Sequence, residues 1–115
     1  FESRINFFHN DARGLISTPY LKEMGINFFN FSFEHSLAKI RQLAGPTITL
    51  LGNLPPRDIL AAGTPDKVYE ETVKMVGSVE DKSRIIWSAG GGMPPGVTTE
   101  NIHAFLQGLK HHYQI

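Results

Sequence analysis

Polar side chains that can carry chemistry follow the first of several short apolar segments in this sequence. His9 and Asp11 are two positions apart, a spacing that puts both side chains on one face of an extended strand. Such a pair can act as an acid–base group with its orienting carboxylate, or as two metal ligands. We therefore predict His9 and Asp11 as catalytic residues, and the same two residues as candidate metal ligands.

Further polar or glycine-rich positions follow the later apolar segments. Amide and hydroxyl side chains orient a substrate by hydrogen bonds, and a run of glycines lets the backbone approach a ligand closely. The glycine spacing matches neither the dinucleotide fingerprint nor the phosphate loop. Surface loops are also polar without any function, so both interpretations stay open for each single residue. The residues predicted to bind substrate are Asn30, Asn53, Ser88, Gly90, Gly91 and Gly92.

Strand-length and helical segments alternate along the chain and must position these groups. Segments rich in β-branched and aromatic residues predict strands at residues 5–9, 26–31, 47–51 and 84–88. Apolar periodicity and end signals predict helices at about residues 18–24, 32–44, 64–79 and 98–113. Strands separated by helices run parallel with right-handed crossovers. We predict an α/β fold of four parallel β/α units, either a small open sheet or half of a closed eight-stranded barrel, with the polar residues gathered at the carboxyl ends of the strands.

The composition excludes several classes of function. The chain has 115 residues, 41% of them hydrophobic, which fits one domain. Its 11 basic and 11 acidic residues leave no excess positive charge for nucleic acid or an anionic membrane. The absence of cysteine excludes disulfides, thiolate metal sites and a cysteine nucleophile. No apolar run is long enough to span a bilayer, so we expect a cytoplasmic protein, and the start at Phe1 predicts a piece of a longer one.

Three segments resemble the uroporphyrinogen decarboxylase superfamily. They are Gly52-Asn53-Leu54-Pro55-Pro56, Gly63-Thr64-Pro65-Asp66, and Gly90-Gly91-Gly92-Met93-Pro94-Pro95-Gly96-Val97 with Thr99-Glu100-Asn101-Ile102 after it. The resemblance extends from about Ile5 to Tyr113. The superfamily includes decarboxylases of haem biosynthesis and methyltransferases that move methyl groups between corrinoid proteins and thiols. The resemblance implies that residues 1–115 are the C-terminal (β/α)4 half of a TIM (β/α)8 barrel, completed by an N-terminal half-barrel outside this chain.

The resemblance implies an enzyme acting on a tetrapyrrole-type or corrinoid-linked substrate, with this chain alone inactive. One implied activity is the lyase reaction of porphyrin biosynthesis, which decarboxylates the acetate side chains of uroporphyrinogen without a cofactor. The alternative is a methyltransferase, which brings a divalent metal and a corrinoid partner. A third alternative is a non-catalytic half-barrel. Because half a barrel exposes two strand edges and an apolar interior, we also expect self-association.

Two departures from the family patterns bear on this choice. Pro55 and Gly91 stand where the decarboxylases have an aspartate and a histidine. The methyltransferases bind zinc through a His-x-Cys pair and a further cysteine. Here His9 is retained, but Asp11 and Gly91 replace the two cysteines. The retained histidine favours methyl transfer, whereas the lost cysteines oppose it and leave only a harder histidine–carboxylate site.

Overall fold

The four strands form one parallel sheet in the order β1-β2-β3-β4. The computed structural model describes residues 5–10, 15–90 and 94–113. Its strands are β1 (Phe7–Asn10), β2 (Phe28–Phe31), β3 (Thr49–Leu54) and β4 (Ile85–Ala89), and all three neighbouring pairs are parallel. Each strand lies beside its predecessor, so right-handed crossovers place the connecting helices on the same face of the sheet. The predicted α/β fold of four parallel β/α units is confirmed.

Helix ends follow the capping signals of the sequence. The helices are α1 (Leu37–Ala44), α2 (Pro65–Gly77) and α3 (Thr99–Tyr113). The Ser36 hydroxyl accepts a hydrogen bond from the Lys39 N–H at the start of α1, and the Thr64 hydroxyl accepts one from the Lys67 N–H at the start of α2. These bonds satisfy N–H groups that a helix leaves without an intrahelical partner.

Several element boundaries differ from the predictions. Helix α1 begins at Leu37 rather than near Ser32, because the serine that caps it is Ser36. Strand β3 continues to Leu54, since its ladder with β4 extends to Ala89. The segment before β2 forms only a 3₁₀ turn, Thr18–Tyr20. A π-helical turn, Pro56–Ala61, follows β3 and was not predicted.

The hydrophobic core lies between the sheet and the helices. Strand alternation sends Phe29, Phe31 and Leu50 toward the helices, where they are buried. They pack with Leu37 and Ile40 of α1, while α2 contributes Val68, Met75 and Val76 to the same core. This helix-covered face holds the fold together.

The opposite face of the sheet has no covering element among the described residues. By register it carries Phe7, His9, Asn30, Ile86 and Ser88, and we call it the open face. Its two edge strands expose large apolar side chains, with Phe7 54% and Ile86 45% accessible. Two candidate site residues, His9 and Asn30, are neighbours on this face.

Candidate functional site

His9 and Asn30 form the centre of the candidate site on the open face. They are register partners on β1 and β2, and parallel pairing points their side chains in the same direction. The Nδ1 of His9 lies 2.7 Å from the Oδ1 of Asn30. His9 is exposed, whereas Asn30 is only 8% accessible. The sequence predicted both residues, and the sheet brings them into contact.

The amide of Asn30 also bonds to the two following strands. Its Nδ2 donates to the carbonyl of Leu51 on β3 at 2.8 Å and, more weakly, to the carbonyl of Ala89 on β4 at 3.4 Å. The hydrogen-bonding groups of this side chain are therefore occupied by the protein itself. Asn30 connects the His9 ring to three strands of the sheet.

Ser88 and Gly90 lie near the same carboxyl ends. The Ser88 hydroxyl donates to the carbonyl of Ala89 at 3.0 Å, so Ser88 and Asn30 share an acceptor. The Gly90 N–H donates to the carbonyl of Leu54 at 2.9 Å. A Cβ at Gly90 would lie only 2.7 Å from the backbone nitrogen of Phe33. The first glycine of the run thus serves a close approach between two chain segments.

The side chain of Asn53 occupies a different cleft. Its Nδ2 donates to the carbonyl of His35, and its backbone N–H contacts the sulfur of Met75 at 3.2 Å. This cleft has a volume of about 310 Å³ and lies between residues 33–37, the end of β3 and helix α2. Neither His9 nor Asn30 lines it. The four strand ends share one edge of the sheet, yet Asn53 does not join the His9–Asn30 pair.

Three predicted site residues, Asp11, Gly91 and Gly92, lie outside the described residues. Their assignment as catalytic, metal-binding or substrate-binding residues stays a prediction. Within the described ranges, no group of three His, Cys, Asp or Glu side chains could hold a metal ion. Of the two predicted metal ligands, only His9 lies within the described residues.

Asn101 is a buried polar residue whose role only the contacts reveal. It lies in the Glu100-Asn101 pair at the start of α3 and is 2% accessible. Its Nδ2 donates to the carbonyls of Leu60 and Gly63, at 2.9 and 2.8 Å, at the end of the π-helical turn. Asn101 therefore ties α3 to the turn after β3. The Glu100-Asn101 pair is visible in the sequence, but the hydrogen-bond partners of the Asn101 side chain are backbone carbonyls, which cannot be predicted from residue types.

The backbone contacts around the site were not predicted from the sequence. Phe33 meets Gly90, and the carbonyl of His35 receives the Asn53 amide. Both residues lie in the connection between β2 and α1, which was predicted as helix. The signal that could have shown the loop was Ser36, a preferred N-cap residue directly before an apolar helical stripe.

The sequence matches the uroporphyrinogen decarboxylase (URO-D) family over residues 3–112, and the chain belongs to this family. It is 30% identical over 92 residues to a methylated-thiol–coenzyme M methyltransferase of Methanosarcina mazei, a match covering 80% of this chain and 24% of that protein. It is 27% identical over 106 residues to a uroporphyrinogen decarboxylase of Chloroherpeton thalassium, covering 90% of this chain and 29% of that protein. The chain therefore spans about a quarter of the length of these curated relatives.

A solved structure carries the same fold. It is a methyltransferase from Methanosarcina mazei that superposes with a TM-score of 0.81 at 18% identity, over 95% of this chain and 32% of that one. At this identity the likeness concerns the fold. Across the described residues, no helix is both long and apolar enough to cross a membrane.

Proposed function

We propose that this chain forms part of a URO-D family enzyme that acts on a tetrapyrrole or corrinoid-linked substrate over the open face of the sheet. The observation that carries the proposal is the His9–Asn30 contact of 2.7 Å. An exposed imidazole held by a buried partner is a suitable group for proton transfer, because its free nitrogen keeps a fixed direction. His9 is the proposed proton-transfer residue.

The first proposed reaction is decarboxylation of the acetate side chains of a uroporphyrinogen. Loss of CO₂ breaks the bond between the carboxylate and the methylene carbon, and the released electron pair needs an acceptor. A pyrrole ring protonated beforehand accepts it; a second proton then converts the methylene into a methyl group, and the ring proton is released. Each substituent thus exchanges CO₂ for one proton. His9 is the described residue suited to deliver or return these protons.

Methyl transfer is the second candidate function, supported by the 30% identity to a methyltransferase and by the retention of His9. The metal that the methyltransferases of this family use would activate the acceptor. The described residues do not fit that zinc site, since the chain has no cysteine and, within the described ranges, no three His, Cys, Asp or Glu side chains lie close enough together to hold a metal ion. A site built from His9 and Asp11 is the variant that the sequence allows, and we derive no step through it.

Either reaction requires the open face to be covered. We propose that four further β/α units complete the barrel, supplied as an N-terminal half-barrel by another segment or as a second copy of this chain. Three features support this proposal. Phe7 and Ile86 are exposed, and the sheet has two edge strands. The chain also covers only 24% of the curated methyltransferase and 32% of the solved one. A complete barrel would enclose the His9–Asn30 pair and keep water from the reaction.

The test assays the longest polypeptide that carries this chain, first with a uroporphyrinogen and then with a methylated corrinoid and a thiol. Conversion of acetate to methyl substituents by metal-free protein supports decarboxylation. Methyl transfer with a stoichiometric metal that is lost in His9→Gln supports the alternative. In either case His9→Gln should lower kcat by about 10²-fold or more.

The matched control is His103→Gln, because His103 is exposed on α3 away from the open face. We expect this variant to keep the activity of the unmodified protein. Absence of both reactions, or equal activity in His9→Gln and the unmodified protein, would overturn the proposed function.

A further inference from the structure

We infer that Asn30 is a positioning residue that fixes His9 in the tautomer with the proton on Nδ1, leaving Nε2 as the basic nitrogen. The inference concerns the ring's protonation pattern, and its catalytic use rests on the proposed function. This role of Asn30 is exerted through His9 and differs from the substrate binding predicted from the sequence, which stays a prediction.

The orientation of the Asn30 amide follows from its carbonyl partners. The atom facing Leu51 and Ala89 has two backbone carbonyl oxygens as neighbours, at 2.8 and 3.4 Å. Carbonyl oxygens only accept, so this atom must be the donating Nδ2. The other atom, which faces His9 Nδ1 at 2.7 Å, must then be Oδ1. The strands beyond the pair thus dictate which end of the amide meets the imidazole.

The orientation of the Asn30 amide determines which nitrogen of the His9 ring carries the proton. Oδ1 only accepts, so the Nδ1 of His9 must donate and must carry the proton. A neutral imidazole has one N–H, which leaves Nε2 with its lone pair. Among the described residues, Nε2 has no hydrogen-bond partner. The nitrogen available to a substrate or ligand is therefore the one that carries a lone pair in the neutral ring.

Burial and connectivity make Asn30 suited to this role. At 8% accessibility it offers little surface to a substrate, and both of its polar atoms are used within the protein. Its bonds join β1 and β3 through β2, so the ring direction is set by rigid strands instead of a loop. For metal-bound histidines, removing a partner that orients the ring changes metal affinity or activity by about 10–100-fold, and we expect a loss of similar size here.

The first experiment measures the tautomer directly, by long-range ¹H–¹⁵N correlation spectra of the ¹⁵N-labelled chain at a pH where the imidazoles are neutral. His9→Gln identifies the His9 resonances among the five histidines. We expect Nδ1 to resonate as a protonated nitrogen and Nε2 as an unprotonated one. A spectrum with the proton on Nε2 would overturn the inference without any variant at Asn30.

Variants at Asn30 then test the cause. Asn30→Leu removes the acceptor, and we expect the proton to redistribute toward Nε2. Asn30→Asp keeps an acceptor beside His9 and should keep the proton on Nδ1, although it removes the N–H that the Leu51 and Ala89 carbonyls accept. The control is Asn53→Leu, another asparagine of the same sheet edge, which should leave the His9 resonances unchanged. An unchanged tautomer in Asn30→Leu would also overturn the inference, while circular dichroism checks that each variant is folded.

Kinetics in the longest polypeptide separate this inference from the proposed function. Asn30→Leu should lower kcat about 10–100-fold with little change in KM, and Asn30→Asp should recover part of it. An increase in KM alone would contradict positioning and indicate substrate contact. If the tautomer is as inferred but His9→Gln leaves activity unchanged, the proposed function fails while the positioning of the ring by Asn30 stands.

Discussion

Gly90 lies where two chain segments meet at the carboxyl edge of the sheet. A Cβ there would be 2.7, 2.8 and 2.9 Å from the backbone nitrogen, Cα and Cβ of Phe33, closer than atoms can pack. Because the neighbour is backbone, Gly90→Ala must displace one of the two segments. We expect the free energy of unfolding to fall by about 1–3 kcal/mol in urea titrations.

The control for Gly90 is Gly77→Ala at the end of α2. There the nearest atoms to a Cβ belong to the His112 ring at 3.6 Å, an ordinary contact. Alanine also favours the helix over glycine by up to about 1 kcal/mol. Gly77→Ala should therefore be neutral or stabilising. Equal effects of the two substitutions would show that the contact with Phe33 does not restrict Gly90.

Asp81 makes a small contribution to the free energy of unfolding that is lost in acid. The hydroxyl and backbone N–H of Ser83 donate to its Oδ1 at 2.6 and 3.0 Å, and these bonds lower the pKa of Asp81 below its usual 3.8. A carboxylate with a lowered folded pKa stabilises the fold above the unfolded pKa and loses that contribution as the pH falls through the folded value. Asp81→Asn should thus be less stable than the unmodified chain at pH 7, with the difference vanishing in strong acid.

Denaturant unfolding between pH 7 and pH 2 measures this difference. Glu80→Gln is the control, since it removes a neighbouring exposed carboxylate. A stability difference between Asp81→Asn and the unmodified chain that stays constant down to low pH would refute the assignment to this carboxylate.

Arg41 joins three elements at the amino ends of the strands. Its guanidinium donates to the carbonyls of Gly45 and Ile48 at 3.0 and 2.7 Å, and to those of Ser83 and Arg84 at 3.0 and 3.2 Å. Burial lowers the pKa of Arg41, but a guanidinium stays charged in proteins. These bonds connect the end of α1 to the residues that lead into β3 and β4.

We expect Arg41→Met to lower the free energy of unfolding by about 2 kcal/mol, since it leaves carbonyls without their charged donor. Arg41→Lys keeps the charge but lacks the planar guanidinium, so its free energy of unfolding should lie between those of the unmodified chain and Arg41→Met. Both are measured by thermal and denaturant unfolding. A methionine variant as stable as the unmodified chain would show that water replaces the guanidinium without loss.

Helices α2 and α3 approach closely at Gly108. A Cβ there would lie 2.7 Å from the Cβ and Cγ2 of Thr72, and 3.2 Å from the carbonyl oxygen of Tyr69. Gly108→Ala should push the helices apart and destabilise the fold by about 1–3 kcal/mol, despite the better helix propensity of alanine. Gly77→Ala again serves as the control. Stabilisation by Gly108→Ala in the same unfolding assay would contradict the close packing.

The whole molecule carries an apolar surface on the side of the sheet away from its helices. With Phe7 and Ile86 about half exposed and no net charge to keep copies apart, we expect the isolated chain to associate. Sedimentation velocity at micromolar concentrations should show dimers or larger species. The double variant Phe7→Glu, Ile86→Glu should be monomeric, because it puts charge on that face.

Tyr20→Glu is the matched control for this surface, since Tyr20 is as exposed as Phe7, at 54%, but lies on the 3₁₀ turn beside α1. It should leave association unchanged. A stable monomer of the unmodified chain, or equal dissociation by the control, would argue against association through the open face.

Local sequence signals predicted the elements well where they depend on neighbouring residues. Thr64 and Pro65 marked the start of α2, and the β-branched and aromatic runs marked four strands. The π-helical turn after Pro55 escaped because no period or cap distinguishes it from a loop. Arg41 carried no signal either, since its partners are backbone carbonyls, two of which, Ser83 and Arg84, are distant along the chain.

The candidate site was predicted only in part, because local signals place a residue on the sheet but do not give its tertiary contacts. Residue type and strand-end position singled out His9 and Asn30, and parallel register placed them side by side. Position alone also grouped Asn53 with them, but its side chain turns to the His35 carbonyl beside α2. A strand-end rule gives the edge of the sheet on which a residue lies, and contacts with the packed helices decide where its side chain goes.

The amino-acid sequence by itself determined the alternation of strands and helices, the parallel sheet and the family of this chain, since periodicity, caps and motifs are encoded between near neighbours. Only the tertiary structure decided that the Asn30 amide is clamped by Leu51 and Ala89, and that it turns its oxygen to His9. That orientation depends on carbonyls of β3 and β4 brought together beside the Asn30 amide of β2, and hydrogen-bond direction between distant segments exists only once the sheet has formed.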